Sequence, residues 1–135
     1  MDANRIGTLA RNAHDGTLSF PQVVEGLVAA GVEYYRVDFA AKSLAYYDGS
    51  DAVVQVPLDF SGLPAIARDF DAAALRAAIL DSQRNGQSFR RFCERVVAAG
   101  VQGYFAFLRG QRVAYFGRGG DQHVEWFPGA KPAGA

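Results

Sequence analysis

The sequence predicts an α+β domain built from two tandem units, each of two helices followed by three strands. The first observation behind this is an internal repeat. Ser19-Phe-Pro-Gln-Val-Val-Glu-Gly-Leu-Val-Ala-Ala-Gly-Val-Glu-Tyr-Tyr35 lies over Ser88-Phe-Arg-Arg-Phe-Cys-Glu-Arg-Val-Val-Ala-Ala-Gly-Val-Gln-Gly-Tyr104 without a gap, at a constant offset of 69 residues. The Ser-Phe start, the glutamate, the run Val-Ala-Ala-Gly-Val and the last tyrosine coincide, and Ala45-Tyr46-Tyr47 falls on Ala114-Tyr115-Phe116. Such a match reads as a tandem duplication. The second observation is apolar residues at helical spacing early in each copy, and the third is β-rich runs closed by turn residues later in each copy.

The elements follow in order. A helix is expected over about residues 3–13. Ser19 then caps a second helix, its hydroxyl accepting from first-turn amides, and Gln22 completes a capping box. Phe20, Val23, Val24, Leu27 and Val28 form the stripe that faces a core, and Gly31 takes the left-handed position after the helix. Strands follow at 32–39, up to Tyr47, and at about 52–56, separated by Ala40-Ala41 and by Asp48-Gly49-Ser50-Asp51. Residues 57–70, with two prolines, link the copies and are expected to hold one short helical turn.

The second copy repeats the plan. Asp71 caps a helix over 72–84. Ser88 caps the next, whose stripe is Phe89, Phe92, Cys93, Val96 and Val97, and Gly100 closes it. Strands follow at 101–108, up to Phe116 and at 122–127, with turns at Arg109-Gly110 and Gly117–Asp121. The expected organisation is one domain over 1–128, with repeats at about 1–56 and 71–128 and a flexible tail at 129–135. The two meanders are expected to form one largely antiparallel sheet, or two packed ones, covered by helices.

Composition narrows the function classes. At 135 residues the chain has the length of one domain, roughly 100–200 residues, and buries enough surface to need no metal or disulfide. Cys93 is the one cysteine and His14 and His123 the two histidines, so zinc ligand sets are not assembled from one chain and no metal is expected. Met1-Asp-Ala-Asn-Arg-Ile lacks the basic flank and apolar run of a signal peptide. No apolar stretch approaches the ~20 residues of a membrane span. A cytoplasmic location and no membrane partner are expected. Net charge is zero, but residues 1–69 carry five basic and nine acidic side chains, and residues 70–135 nine and five. The split favours contact between halves or molecules, or is drift of solvated charge.

Divergence between the copies locates candidate sites, because a duplicated scaffold needs only one working copy. On the first strand Tyr35, Val37 and Phe39 share one face and Tyr34, Arg36 and Asp38 the other. Their counterparts are Tyr104, Ala106, Leu108 and Gly103, Phe105, Phe107. The Tyr34-Arg36-Asp38 row is a solvated face or the wall of a polar cleft. Phe105 and Phe107 are expected to be buried by the chain's own helices or by a partner. On the last strand His123, Glu125 and Phe127 share a face, opposite Val124 and Trp126. His123 and Glu125 form an acid–base pair or an edge pair facing water. Gly117-Arg118-Gly119-Gly120 offers amides and Arg118 to an anion, but it joins two strands and so is neither a P-loop nor a dinucleotide fingerprint. No cofactor is expected. Cys93 reads as a small buried hydrophobe.

Ala-Gly-Val-x-x-Tyr-x-x-Asp-Phe at 30–39, Tyr-Tyr-Asp-Gly at 46–49, Tyr-Phe-Gly-Arg-x-Gly from Tyr115 and Glu-Trp-Phe-Pro at 125–128 together resemble the YbcV-like family. These are small bacterial and prophage-borne proteins, catalogued as domain of unknown function 1398 and sometimes labelled phage envelope protein. The resemblance covers nearly the whole chain. It implies a small single-domain bacterial protein, and it brings no catalytic residues with it.

Three function classes remain. A binding module would use the Tyr34-Arg36-Asp38 or the Phe105/Phe107 face, with a protein partner or a second copy. A small enzyme would use Asp38, His123 or Glu125, with Arg36 or Arg118 holding an anionic substrate, and it requires these groups to converge. Nucleic-acid binding through Arg84, Arg90, Arg91 and Arg95 ranks last, since a basic domain would be expected.

Overall fold

A computed structural model describes residues 1–132. Each helix begins where the sequence supplies a cap. Asp2 accepts from the Arg5 amide to start α1 (Ala3–His14), and the Ser19–Gln22 capping box starts α2 (Phe20–Ala29). Asp71 starts α3 (Ala72–Arg84) and Ser88 starts α4 (Phe89–Ala98). Gly31 and Gly100, at φ 92° and 88°, turn the chain out of α2 and α4, in the left-handed region that glycine enters without steric cost.

The strands are β1 (Val32–Asp38), β2 (Ser43–Asp48), β3 (Val53–Pro57), β4 (Val101–Phe107), β5 (Arg112–Gly117) and β6 (Gln122–Trp126). They form one antiparallel six-stranded sheet in the order β3-β2-β1-β4-β5-β6. The chain is thus α+β, two helix-helix-three-strand units joined through their first strands. Of the two sheet arrangements expected, the single sheet is the one formed.

The β1/β4 ladder sets Arg36 opposite Phe105, and these two residues occupy the same place in their units. The sheet is therefore pseudo-twofold about that pair. All four helices lie on one side of it. There Tyr35, Val37, Leu44, Tyr46, Tyr104, Ala106, Val113 and Tyr115 are buried against Ile6, Leu27, Leu75, Ile79, Cys93, Val96 and Val97. Tyr46, Tyr35, Tyr104 and Tyr115 make a continuous row across β2, β1, β4 and β5, with ring centroids 5.3–6.4 Å apart. Burial pushes all four phenols up from their ordinary value, since a phenolate there would lose its hydration.

Two expectations change. Residues 57–70 contain a turn at 61–62 but no helical turn. They are tied down instead by Ala67 N–H to Val97 O, Asp71 N–H to Ala99 O and the Arg90 guanidinium to Ser61 O. The core stripe of α2 is narrower than expected, because Phe20 and Val28 are 49% and 55% exposed. Val97, equivalent to Val28, is fully buried, and the Ala67 amide bonds its carbonyl. The chain turns at 128–129, where Ala130 N–H bonds to Phe127 O, and residues 133–135 of the expected tail lie outside the described residues.

Candidate functional site

With the helices on one side, the sheet's other face is left uncovered by the described residues. Alternation places Tyr34, Tyr47, Phe105, Phe107, Phe116 and Trp126 on it, all half-buried, and Val53 and Val124 exposed. A solvated sheet face is ordinarily polar, so this patch is chemically out of place. The rings contact one another. Tyr34 stacks on Tyr47 at 4.6 Å and 7°, Phe105 lies 5.8 Å from Phe107, and Phe105 and Phe116 meet edge to face at 6.1 Å and 89°. The Arg112 guanidinium sits 4.5 Å over the Trp126 ring.

The Tyr34-Arg36-Asp38 row and the Phe105/Phe107 pair, alternatives in the sequence, thus lie side by side on this one face. Register sets Tyr34 against Phe107, Arg36 against Phe105 and Asp38 against Gly103. The expected burial of Phe105 and Phe107 by the chain's own helices does not occur, because both point away from every helix. Neighbouring rings half-bury them.

A β-bulge in each unit brings two further groups to this face. The registers of β1 with β2 and of β4 with β5 slip between Val32 and Tyr34 and between Val101 and Gly103. Glu33 and Gln102, at equivalent positions, are the extra residues. A bulge re-aims a side chain out of strict alternation, and both line concavities on the uncovered face. The concavities are themselves pseudo-twofold related. The larger, about 570 Å³, is lined by Glu33, Tyr34, Phe107, Arg109, Arg112 and Val124. The smaller, about 320 Å³, is lined by Arg36, Asp38, Gln102, Gly103, Phe105 and Phe116. Glu33, Tyr34, Phe107 and Arg109 in the first answer to Gln102, Gly103, Asp38 and Ala40 in the second.

Their chemistry differs. In the larger, Arg109 donates to Glu33 at 3.1 Å across the two units, and the guanidinium is 83% exposed, so the pair contributes little. In the smaller, two donors are unsatisfied. Asp38 Oδ1 accepts from the Ala41 amide at 2.9 Å, fixing the β1–β2 turn. Among the described residues Arg36 makes no ion pair. Its Nε and the Gln102 Nε2 are buried without a partner. Only His14 Nε2 shares that condition among the described residues, so two of the three orphans belong to residues that line one concavity. Each unpartnered buried donor costs about 1–3 kcal/mol.

The remaining candidates lie elsewhere. His123 Nε2 and Glu125 Oε1 are 3.0 Å apart. They sit opposite Tyr115 and Val113 on the helix-covered side, at the edge strand, and are partly buried. Asp38 is on the opposite face, so the convergence that an acid–base site from Asp38, His123 and Glu125 requires is not present. Arg118 is exposed on the β5–β6 turn and lines neither concavity. Of the α4 arginines, Arg95 is paired with Asp81 at 2.7 Å, and Arg90 and Arg91 lie within 3.9 Å of Glu94. Burial pushes the Cys93 thiol up, away from nucleophilic reactivity.

Among the described residues no group of three metal-ligating side chains converges, and no helix is long and apolar enough to cross a membrane. In comparisons with known proteins, no family model and no curated sequence matches the chain.

Gln102 and Glu33 are the site residues that sequence reasoning missed. The available signal was Gly103, a glycine inside a strand where the other unit has Tyr34, since such a glycine often marks a bulge or a close backbone approach.

Proposed function

We propose that the protein is a small binding module whose working surface is the uncovered face of its sheet. One observation carries the reading: six aromatic side chains, interleaved with Arg36 and Arg112, stand on a face that no helix covers. Contiguous exposed apolar surface of this kind marks binding sites in soluble proteins. The motifs at 30–39, 46–49 and 115–128 support placing the chain in the YbcV-like family, and its single buried cysteine fits a reducing cytoplasm.

Native mass spectrometry of the gently purified protein tests the binding reading. A retained ligand mass or a multiple of the chain mass is expected, and the Phe105→Asp/Phe107→Asp double variant, its fold checked by circular dichroism, loses it. A bare wild-type monomer across the concentration range overturns the reading.

A further inference from the structure

We infer that the concavity of Arg36, Asp38 and Gln102 is a binding site for a flat heterocycle with a lactam edge, a ring carbonyl beside a ring N–H, as uracil and guanine carry. The inference rests on the reading that the uncovered face is the working surface, and it names the ligand class. Several observations carry it. Arg36 and Gln102 line this concavity, and Arg36 Nε and Gln102 Nε2 are buried N–H donors without acceptors; turning either side chain toward the opening presents its donor to an acceptor from outside the chain. Asp38 stands on the same floor with Oδ1 engaged by Ala41, leaving its other oxygen to accept from a ligand N–H. Its negative charge offsets that of Arg36, which disfavours phosphate and other multiply charged anions.

The apolar part of the site is flat. Phe105 and Phe116 meet at 89°, offering a ring face and a perpendicular ring edge, the geometry in which a third aromatic ring packs. The floor is open because β4 has Gly103 where β1 has Tyr34, and a side chain at Gly103 would collide with the Val37 carbonyl oxygen. At about 320 Å³ the space is at the lower end of ligand sites, roughly 300–1,000 Å³. It suits one base or nucleoside and is small for a dinucleotide.

A lactam ring reaches this site as a free nucleoside or as a base of a single strand, and the test separates the two. The full chain is titrated by calorimetry and by amide NMR with uridine, guanosine, adenosine, phenylalanine and a single-stranded oligouridylate. Uridine or guanosine is expected to bind at least tenfold more tightly than adenosine, whose ring nitrogen has one lone pair where the lactam carbonyl has two for the donors of Arg36 and Gln102, with shifts at Gly103, Phe105 and Phe116. Asp38→Asn, which keeps the turn acceptor, and Gln102→Leu are each expected to weaken binding about tenfold. An oligouridylate that binds more tightly than uridine, with a salt-dependent affinity, identifies the single strand as the source; equal affinity per base identifies the nucleoside.

Equal binding of adenosine, binding of phenylalanine at the same amides, or no shift at these amides overturns the inference. If the lactam probes fail while a native mass adduct still depends on Phe105 and Phe107, the ligand class alone is wrong. If any bound ligand perturbs only helix-side amides, the working surface is wrong as well.

Discussion

Arg36 and Phe105 face each other across the central ladder of the sheet while holding the same position in their respective units. The pseudo-twofold axis passes between a cation and an aromatic ring, so the scaffold is symmetric at the backbone and unlike at its centre.

A second arginine at that centre would set like charges directly opposite, which costs up to about 1 kcal/mol. Phe105→Arg is therefore expected to be less stable than Phe105→Leu by that order in urea denaturation. The gap narrows in high salt and shrinks by up to about 1 kcal/mol in an Arg36→Leu background. A gap of unchanged size in that background shows that the two positions do not couple.

Gly31 and Gly100 end equivalent helices at φ 92° and 88°, yet their surroundings differ. A side chain at Gly31 meets only Met1 Cα at 3.8 Å, whereas one at Gly100 collides with the Asp69 carbonyl. Gly31→Ala is expected to cost about 1 kcal/mol, the price of a left-handed alanine. Gly100→Ala should cost several times more, because backbone that is tied to Ala99 has to move. Equal denaturation midpoints for the two variants contradict this.

Cys93 is fully buried and its thiol is pushed up by desolvation. Modification by a thiol reagent at neutral pH is expected to proceed only through unfolding, so its rate rises in parallel with the unfolded fraction in urea. Fast modification of native protein runs against the packing described.

Tyr35, Tyr46, Tyr104 and Tyr115 give the protein an alkaline limit. Burial raises each phenol in the folded state, for Tyr35 with Tyr46 and Tyr115 adding to it, whereas an unfolded tyrosine ionises near pH ~10. The folded state therefore holds more protons above that pH. The stability that depends on neutral phenols is complete below about pH 10 and falls as pH rises further. Absorbance of tyrosinate should rise for these four in one step coincident with loss of helical circular dichroism. Gradual ionisation of all of them in a folded protein would contradict their burial.

Much of this architecture was legible because local chemistry and tertiary packing agree. Asp71 and Ser88 cap helices that start where their side chains demand, and the alternation of Tyr34–Phe39 assigns each residue to its observed face. What was not legible depends on long-range placement. Whether Phe105 and Phe107 meet a helix is decided by all four helices choosing one side, and nothing in a strand of seven residues encodes that. The bulges at Glu33 and Gln102 arise from register against neighbouring strands, so periodicity read along one strand passes over them. Val28 is exposed although its equivalent Val97 is buried; the segment that bonds the Val97 carbonyl, 57–70, is distant in sequence and has no apolar period of its own.

The two concavities have one further consequence. Because the same backbone carries Glu33, Tyr34 and Arg109 at one end and Gln102, Gly103 and Ala40 at the other, the face has a head and a tail. An elongated partner spanning both ends gains different contacts in its two orientations, and so docks in one direction even though the scaffold beneath it reads alike from either side.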